Sequence, residues 1–215
     1  GTDGHRFIPE AVSKGAPAVV AGNVKALEGL PAGVARLVTE DPRTAAGRLA
    51  SRFYGEPSSK LKVAGITGTN GKTTLTYLLE HIIFCSGAKA GVIGTVNYRM
   101  GEEVLPSTNT TPGAVELQRL LSSMREKGAS YAVMEVSSHA LDQRRTEGVE
   151  FHSAVFTNLT RDHLDYHKTE EEYFRAKALL FSGLSDKAFC VINTDDERGR
   201  SLAGMTAAAV NGYGL

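Results

Sequence analysis

The sequence predicts an α/β chain in two parts, a small N-terminal α/β unit followed by a larger one with a mostly parallel sheet. Three observations carry that expectation. Short apolar stretches alternate with segments of helical periodicity, as in sheets whose strands are joined through helices. The apolar stretches are near-continuous rather than alternating, which suits strands covered on both faces. The cluster Gly55-Glu56-Pro57-Ser58-Ser59 interrupts the pattern, and Gly, Pro and Ser at that density mark a boundary. We expect one unit over residues 1–57 and a second over residues 58–215.

Taken in order, the first unit predicts a helix over residues 8–14, a short buried strand at Ala18-Val19-Val20-Ala21 and a second strand over residues 34–38. Asp41-Pro42 opens the next helix: the Asp side chain accepts orphan N–H groups, and Pro at the first helical position lacks the N–H that would go unbonded. Ala46, Leu49, Ala50 and Phe53 recur along it at helical spacing. Past the boundary the pattern predicts a strand over residues 61–67, a helix over 72–85 and a strand over 90–96. A helix over residues 112–127 follows, with Thr111 as its cap, Leu117, Leu120, Leu121 and Met124 on one stripe, and Gly128 at its stop. Strands are expected over residues 131–136, 155–159 and 189–193. Between the last two, Thr169-Glu170-Glu171-Glu172 reads as a capping box opening a helix to about Phe181.

The 215 residues carry 24 Lys+Arg and 24 Asp+Glu, so the formal net charge is zero. Polyanionic partners are usually held by a marked basic excess, so neither nucleic acid nor an anionic membrane surface is an expected partner. No stretch approaches the roughly 18–20 apolar residues that span a bilayer, and the start lacks the pattern of a secretory signal; membrane insertion is not expected. Cys85 and Cys190 are too few for a disulfide framework and suit a reducing, cytoplasmic setting.

The strongest local signal is Gly65-Ile66-Thr67-Gly68-Thr69-Asn70-Gly71-Lys72-Thr73-Thr74, set between a predicted strand and a predicted helix. Glycines there let backbone N–H groups turn toward a phosphate chain, the helix start adds partial positive charge, Lys72 neutralises outer phosphates and Thr73 can hold magnesium. The loop departs from the strict phosphate-loop pattern, because Ile66 stands where the first Gly belongs. Read blandly, it is a Gly-rich turn with a surface lysine. Met134-Glu135-Val136-Ser137-Ser138-His139 ends another predicted strand; Glu135 there suits either a second magnesium ligand or a salt bridge. In Thr160-Arg161-Asp162-His163-Leu164-Asp165-Tyr166-His167, two histidines stand four apart without an HExxH arrangement or a Cys partner. That disfavours zinc and leaves an imidazole beside a magnesium-phosphate centre, or a solvated turn. Ser107-Thr108-Asn109-Thr110-Thr111-Pro112 is a hydroxyl-rich helix start that suits capping or an anionic substrate group.

Together with Asp3-Gly4-His5-Arg6-Phe7-Ile8 near the start, the phosphate loop, Asn109-Thr110-Thr111-Pro112, Glu135-Val136-Ser137-Ser138-His139-Ala140-Leu141 and Asp162-His163-Leu164-Asp165-Tyr166-His167 resemble the ATP-dependent Mur ligases of peptidoglycan synthesis. The nearest likeness is to the members that add the third residue of the stem peptide. Folylpolyglutamate synthetases share the loop; the stretch beginning at Glu135 separates the two groups. Such ligases have three domains, so the resemblance implies a partial N-terminal uridine-nucleotide-binding domain over residues 1–57 and an incomplete P-loop ATPase domain over residues 58–215. The domain that delivers the amino acid would be missing, and the chain alone would be inactive.

The resemblance further implies that Gly68, Thr69, Asn70, Gly71, Lys72, Thr73 and Thr74 bind ATP, with Asn193 near the adenine. Thr73 and Glu135 would hold magnesium, His163 would sit at a second magnesium, and Asn109, Thr110, Thr111, Ser137, Gln143 and Arg145 would contact the UDP-muramoyl dipeptide. Lys177 matches a lysine carbamylated in the family to N6-carboxylysine, whose anionic end can ligate magnesium; from the residues alone it is a helix-surface lysine. Lys72, Lys177, His163 and Glu135 are thus the implied catalytic set. In the implied reaction the dipeptide carboxylate attacks the ATP γ-phosphate to give an acyl phosphate and ADP. The amine of a diamino acid, expected to be meso-diaminopimelate rather than lysine, then displaces phosphate. A folylpolyglutamate synthetase-like ligase and a catalytically incomplete nucleotide-binding module are the rival readings.

Overall fold

The computed structural model describes residues 3–215; Gly1 and Thr2, with which the first expected unit begins, lie outside the described residues. A 3-10 turn at Gly4–Phe7 runs into α1 (Ile8–Ser13), and β1 (Ala18–Ala21) pairs in parallel with β2 (Ala35–Val38), Ala18 opposite Ala35. Val19, Ala21 and Leu27 are buried in a small apolar cluster against which Ile8, Val12 and Val34 pack. Helix α2 (Pro42–Phe53) starts as its sequence dictates: the Asp41 carboxylate accepts from the N–H of Arg43 at 3.1 Å and of Thr44 at 3.0 Å.

The packed face of α2 is not the one its large apolar residues suggest. Gly47, Ala50 and Ser51 are buried, whereas Leu49 and Phe53 are 56% and 83% exposed. The cause is a close approach: a Cβ on Gly47 would lie 2.5 Å from the backbone oxygen of Glu147. Arg48 Nε reaches Glu147 Oε1 at 3.1 Å beside that contact. Only small side chains fit between the helix and that segment.

The second part is built on an eight-stranded sheet in the order β10-β9-β8-β3-β7-β4-β5-β6. Its strands are β3 (Lys62–Thr67), β4 (Ala90–Ile93), β5 (Asn97–Met100), β6 (Glu103–Pro106), β7 (Tyr131–Glu135), β8 (Ser153–Phe156), β9 (Phe189–Asn193) and β10 (Ala209–Tyr213). Every adjacent pair from β10 to β4 is parallel, while β5 and β6 continue the sheet antiparallel. The helices are α3 (Lys72–Cys85), α4 (Ala114–Glu126), α5 (Ser138–Asp142), α6 (Leu164–His167), α7 (Glu170–Ser182) and α8 (Glu197–Ala203). The α4 stripe behaves as its period requires, with Leu117, Leu120, Leu121 and Met124 fully buried. Each such side chain contributes about 1.5–3 kcal/mol on burial.

Three expectations are corrected. Helix α4 begins at Ala114 with Gly113 at the cap, and Thr111 is not the cap: its hydroxyl is buried and donates to the Glu135 carbonyl at 2.9 Å. Strand β4 stops at Ile93 and β8 at Phe156, so the residues just after them form loops rather than extending the strands. Only one half of the capping box at α7 is formed, the Thr169 hydroxyl accepting from Glu172 N–H at 3.1 Å.

Candidate phosphate and cation site

Five adjacent parallel strands deliver the chemistry to one end of the sheet. Thr67 ends β3, Glu135 ends β7 and Asn193 ends β9, while Gly94 and Thr157 directly follow β4 and β8. Carboxyl ends of parallel strands are where backbone loops open toward ligands in α/β folds.

The loop after β3 bends at Gly68, whose φ of +145° suits glycine and whose missing Cβ leaves room for Thr157 Oγ1. The first helical hydrogen bond of α3 runs from Leu75 N–H to Gly71 O at 3.0 Å. The N–H groups of Lys72, Thr73 and Thr74 therefore face out of the helix start without a helical acceptor, where the dipole adds positive potential. The loop is braced from the β8 side: Thr69 N–H donates to Asn158 O at 2.8 Å, Asn70 N–H to Asn158 Oδ1 at 3.0 Å, and Thr157 Oγ1 donates to Asn70 O at 2.7 Å. Asn193 Nδ2 supports the brace by donating to Thr157 O at 2.8 Å. Lys72 Nζ folds over the loop, 2.8 Å from Gly68 O and 2.9 Å from Thr69 O, and burial holds its pKa below the usual lysine range.

Thr73 Oγ1 lies 3.0 Å from each oxygen of the Glu135 carboxylate, which is 1% exposed. The same carboxylate accepts Thr95 N–H at 2.9 Å on Oε1 and Thr95 Oγ1 at 3.1 Å on Oε2. Thr95 escaped the sequence reading; its only signal is its place two residues beyond an apolar strand. Lys177, read from the residues as a helix-surface lysine, is instead 1% exposed. Its Nζ donates to Gly68 O at 3.0 Å and lies 4.4 Å from the centre of the Tyr173 ring. Burial first, and then the Lys72 charge, bring its pKa down to about 7. Tyr173 OH and Thr69 Oγ1 are 3.2 Å apart, tying α7 to the loop.

The hydroxyl-rich segment joins the site from the other side. Thr110 Oγ1 is 3.0 Å from Thr95 Oγ1, and Ser137 N–H donates to Thr111 Oγ1 at 3.0 Å. Arg145 Nη1 donates to Thr111 O at 3.0 Å, while Arg145 Nε and Nη2 both donate to Gln143 Oε1. Gln143 Nε2 in turn donates to Tyr166 OH, which donates to Asp142 Oδ2 at 2.6 Å. Asn109 is tied to this segment by its backbone, Tyr98 OH donating to its carbonyl at 2.6 Å. His163 is a non-glycine residue with φ +53°, its ring centre 4.9 Å from that of His139. Burial lowers the pKa of His139 and of His167, whose Nε2 is 2.9 Å from Ser138 Oγ.

A cavity of about 280 Å³ opens among Lys72, Thr73, Thr95, Thr110, Glu135 and His163. It gathers most of the expected site; Gly68, Lys177, Asn109, Thr111, Gln143, Arg145 and Asn193 stand outside its lining. Its donors suit a hard cation: hydroxyl and carboxylate oxygen, without thiolate. Among the described residues no cluster of three or more His, Cys, Asp and Glu side chains forms a closed metal cage. That composition fits magnesium, which keeps few protein ligands and takes the rest from water and phosphate.

Residues 66–215 match the Mur ligase middle domain. The chain belongs to the Mur ligase family. Among Mur ligases, it is 47% identical to UDP-N-acetylmuramoyl-L-alanyl-D-glutamate--2,6-diaminopimelate ligase of Geobacter metallireducens, over 100% of this chain and 42% of that protein. The protein of the same name from Aquifex aeolicus is also 47% identical, over 99% of this chain and 43% of its own length. A solved structure of a Mur ligase of that name superposes with a TM-score of 0.84 at 32% identity, over 98% of this chain and 43% of that one. E. coli FolC in complex with DHPP and ADP superposes with a TM-score of 0.61 at 22% identity over 80% of this chain, a likeness of fold alone. This Mur ligase chain spans less than half the length of the relatives it matches. Among its described residues no helix is long and apolar enough to cross a membrane.

Proposed function

We propose that this chain is the nucleotide-binding portion of an ATP-dependent ligase that joins 2,6-diaminopimelate to UDP-N-acetylmuramoyl-L-alanyl-D-glutamate, acting in the cytoplasm. The observation that carries the reading is the convergence of Thr73 and Glu135 at the mouth of a phosphate loop crowned by Lys72 and backed by buried Lys177. The names borne by relatives at 47% identity support the substrate. Two sheets with separate apolar clusters support a division near residue 57, the first part belonging to a uridine-nucleotide domain.

In this reading the loop from Gly68 to Thr74 holds the ATP phosphates, chiefly through the N–H groups of Lys72, Thr73 and Thr74 at the helix start, and Lys72 exchanges its loop carbonyls for phosphate oxygens. Asn193 lies on the adenine side, through the brace at Thr157. Thr73 and Glu135 hold magnesium, with His163 and modified Lys177 at a second ion; bound magnesium would neutralise phosphate charge as the γ-phosphoryl group moves. The Lys177 amine, whose pKa of about 7 leaves a large neutral fraction near pH 7, suits addition to carbon dioxide: nitrogen bonds to carbon, a proton leaves, and an anionic carbamate results. Thr110, Ser137, Gln143, Arg145 and Asn109 face the dipeptide substrate, with fully buried Thr111 bracing them from behind; the substrate carboxylate attacks the γ-phosphate before the diamino acid amine displaces phosphate. Holding two anionic reactants in line is the main task, and it explains the density of N–H, ammonium and hydroxyl donors.

The test is amino-acid-dependent phosphate release from ATP with the UDP-muramoyl dipeptide, by this chain and by a version extended to the length of its relatives. Turnover with diaminopimelate in the extended version alone is expected. Turnover instead with folate and glutamate would favour the synthetase reading that the FolC-like fold keeps open.

A further inference from the structure

We infer that Thr95 is the positioning residue that fixes the Glu135 carboxylate for its cation and couples it to the substrate segment through Thr110. The inference rests on the cation role proposed for Glu135. Thr95 touches both carboxylate oxygens, its N–H on Oε1 at 2.9 Å and its hydroxyl on Oε2 at 3.1 Å. A carboxylate oxygen has no proton to give, so the single Thr95 hydroxyl proton goes to Glu135. Thr110, 3.0 Å away, must then donate to Thr95. The hydroxyls form a one-way chain from Thr110 through Thr95 to Glu135.

The neighbouring geometry makes this arrangement specific. A Cβ on Gly94 would lie 2.5 Å from Glu135 Oε1, so the carboxylate rests directly on the backbone of the Gly94-Thr95 turn. Thr73, the other hydroxyl on the carboxylate, donates to Glu135 through its proton and can offer a lone pair to a cation at the same time. Thr95 differs in holding the carboxylate by a backbone N–H as well as a hydroxyl, from the β4 turn and not from the phosphate loop. Residues that hydrogen-bond a ligating carboxylate typically account for about 10–100-fold in metal affinity.

The experiment is titration of the chain with Mn2+, followed by electron paramagnetic resonance at saturating ADP, with ADP affinity measured separately without metal. Thr95→Val is expected to weaken Mn2+ binding about 10-fold or more, Thr95→Ser to stay within about threefold of the wild type, and metal-free ADP affinity to be unchanged in both, which also certifies their folds. Mn2+ binding unaltered in Thr95→Val, or lost equally in Thr95→Ser, overturns the inference while leaving the site reading intact. A wild-type chain that binds no Mn2+ with ADP overturns the site reading and this inference with it.

Discussion

Lys177 sits buried beside Lys72, and among the described residues it forms no ion pair. Its folded-state pKa of about 7 lies below the ordinary 10.5. Between those values the unfolded chain binds more protons than the folded one, so stability rises with pH across that window. In carbon-dioxide-free buffer the denaturant midpoint should therefore increase from about pH 7.5 to about pH 9.5, with a limiting slope of about 1.4 kcal/mol per pH unit for one proton. Lys177→Met should be more stable than wild type at the lower pH and should flatten the rise; an unchanged slope would show that the proton belongs elsewhere. A second residue-level outcome concerns Gly94: Gly94→Ala places a methyl against Glu135 Oε1 and should weaken Mn2+ binding while sparing metal-free ADP. Lys72, Thr73 and Glu135 were legible because a loop and a strand end fix them in the chain itself. Lys177 was less so, since the acidic first turn of α7 reads as a solvated face. The overlooked signal is the spacing of Tyr173, Lys177 and Phe181, all fully buried on one helical stripe.

At the scale of elements, α7 links fold and site, because its first turn is anchored by Thr169 and its inner face carries Tyr173 and Lys177. Thr169→Ala should cost about 1 kcal/mol in chemical denaturation and Thr169→Ser almost nothing, as the cap requires a side-chain oxygen. Equal losses would mean that the hydroxyl is not the source of the stabilisation. In α4, Leu121→Ala should cost about 2–5 kcal/mol, since the side chain is fully buried in the main core. The longer helices and the central strands were readable from their periods and caps, whereas the short α5, α6 and α8 were not expected. The β5 and β6 pair was not: Asn97 and Arg99 alternate with buried Tyr98 and Met100, so the stretch lacks the continuous apolar run of the parallel strands. The hydroxyls at Thr95 and Thr111 were misread or missed for a related reason. Their partners are on β7, 40 and 24 residues away, and no local pattern announces a long-range pairing.

For the whole molecule, the question is how the first unit is seated on the second, since their apolar clusters are separate. Helix α2 packs on α4, and beside that packing two glycines make a close approach: a Cβ on Gly47 would lie 2.5 Å from Glu147 O, and one on Gly148 would lie 2.7 Å from Gly47 O. Both obstacles are backbone, so neither yields by turning a side chain. This gives a substitution whose sign is diagnostic. In an ordinary helix interior, replacing Gly by Ala stabilises by roughly 0.5–1 kcal/mol, because Gly loses more backbone freedom on folding. If α2 is docked on the segment around Glu147, Gly47→Ala must instead lower the denaturant midpoint. The methyl either pushes the helix away, also separating Arg48 from Glu147, or strains the turn at Gly148. A gain of the ordinary size would mean that the two units touch elsewhere in solution, and a loss would tie the seating of the first unit to a pair of missing side chains.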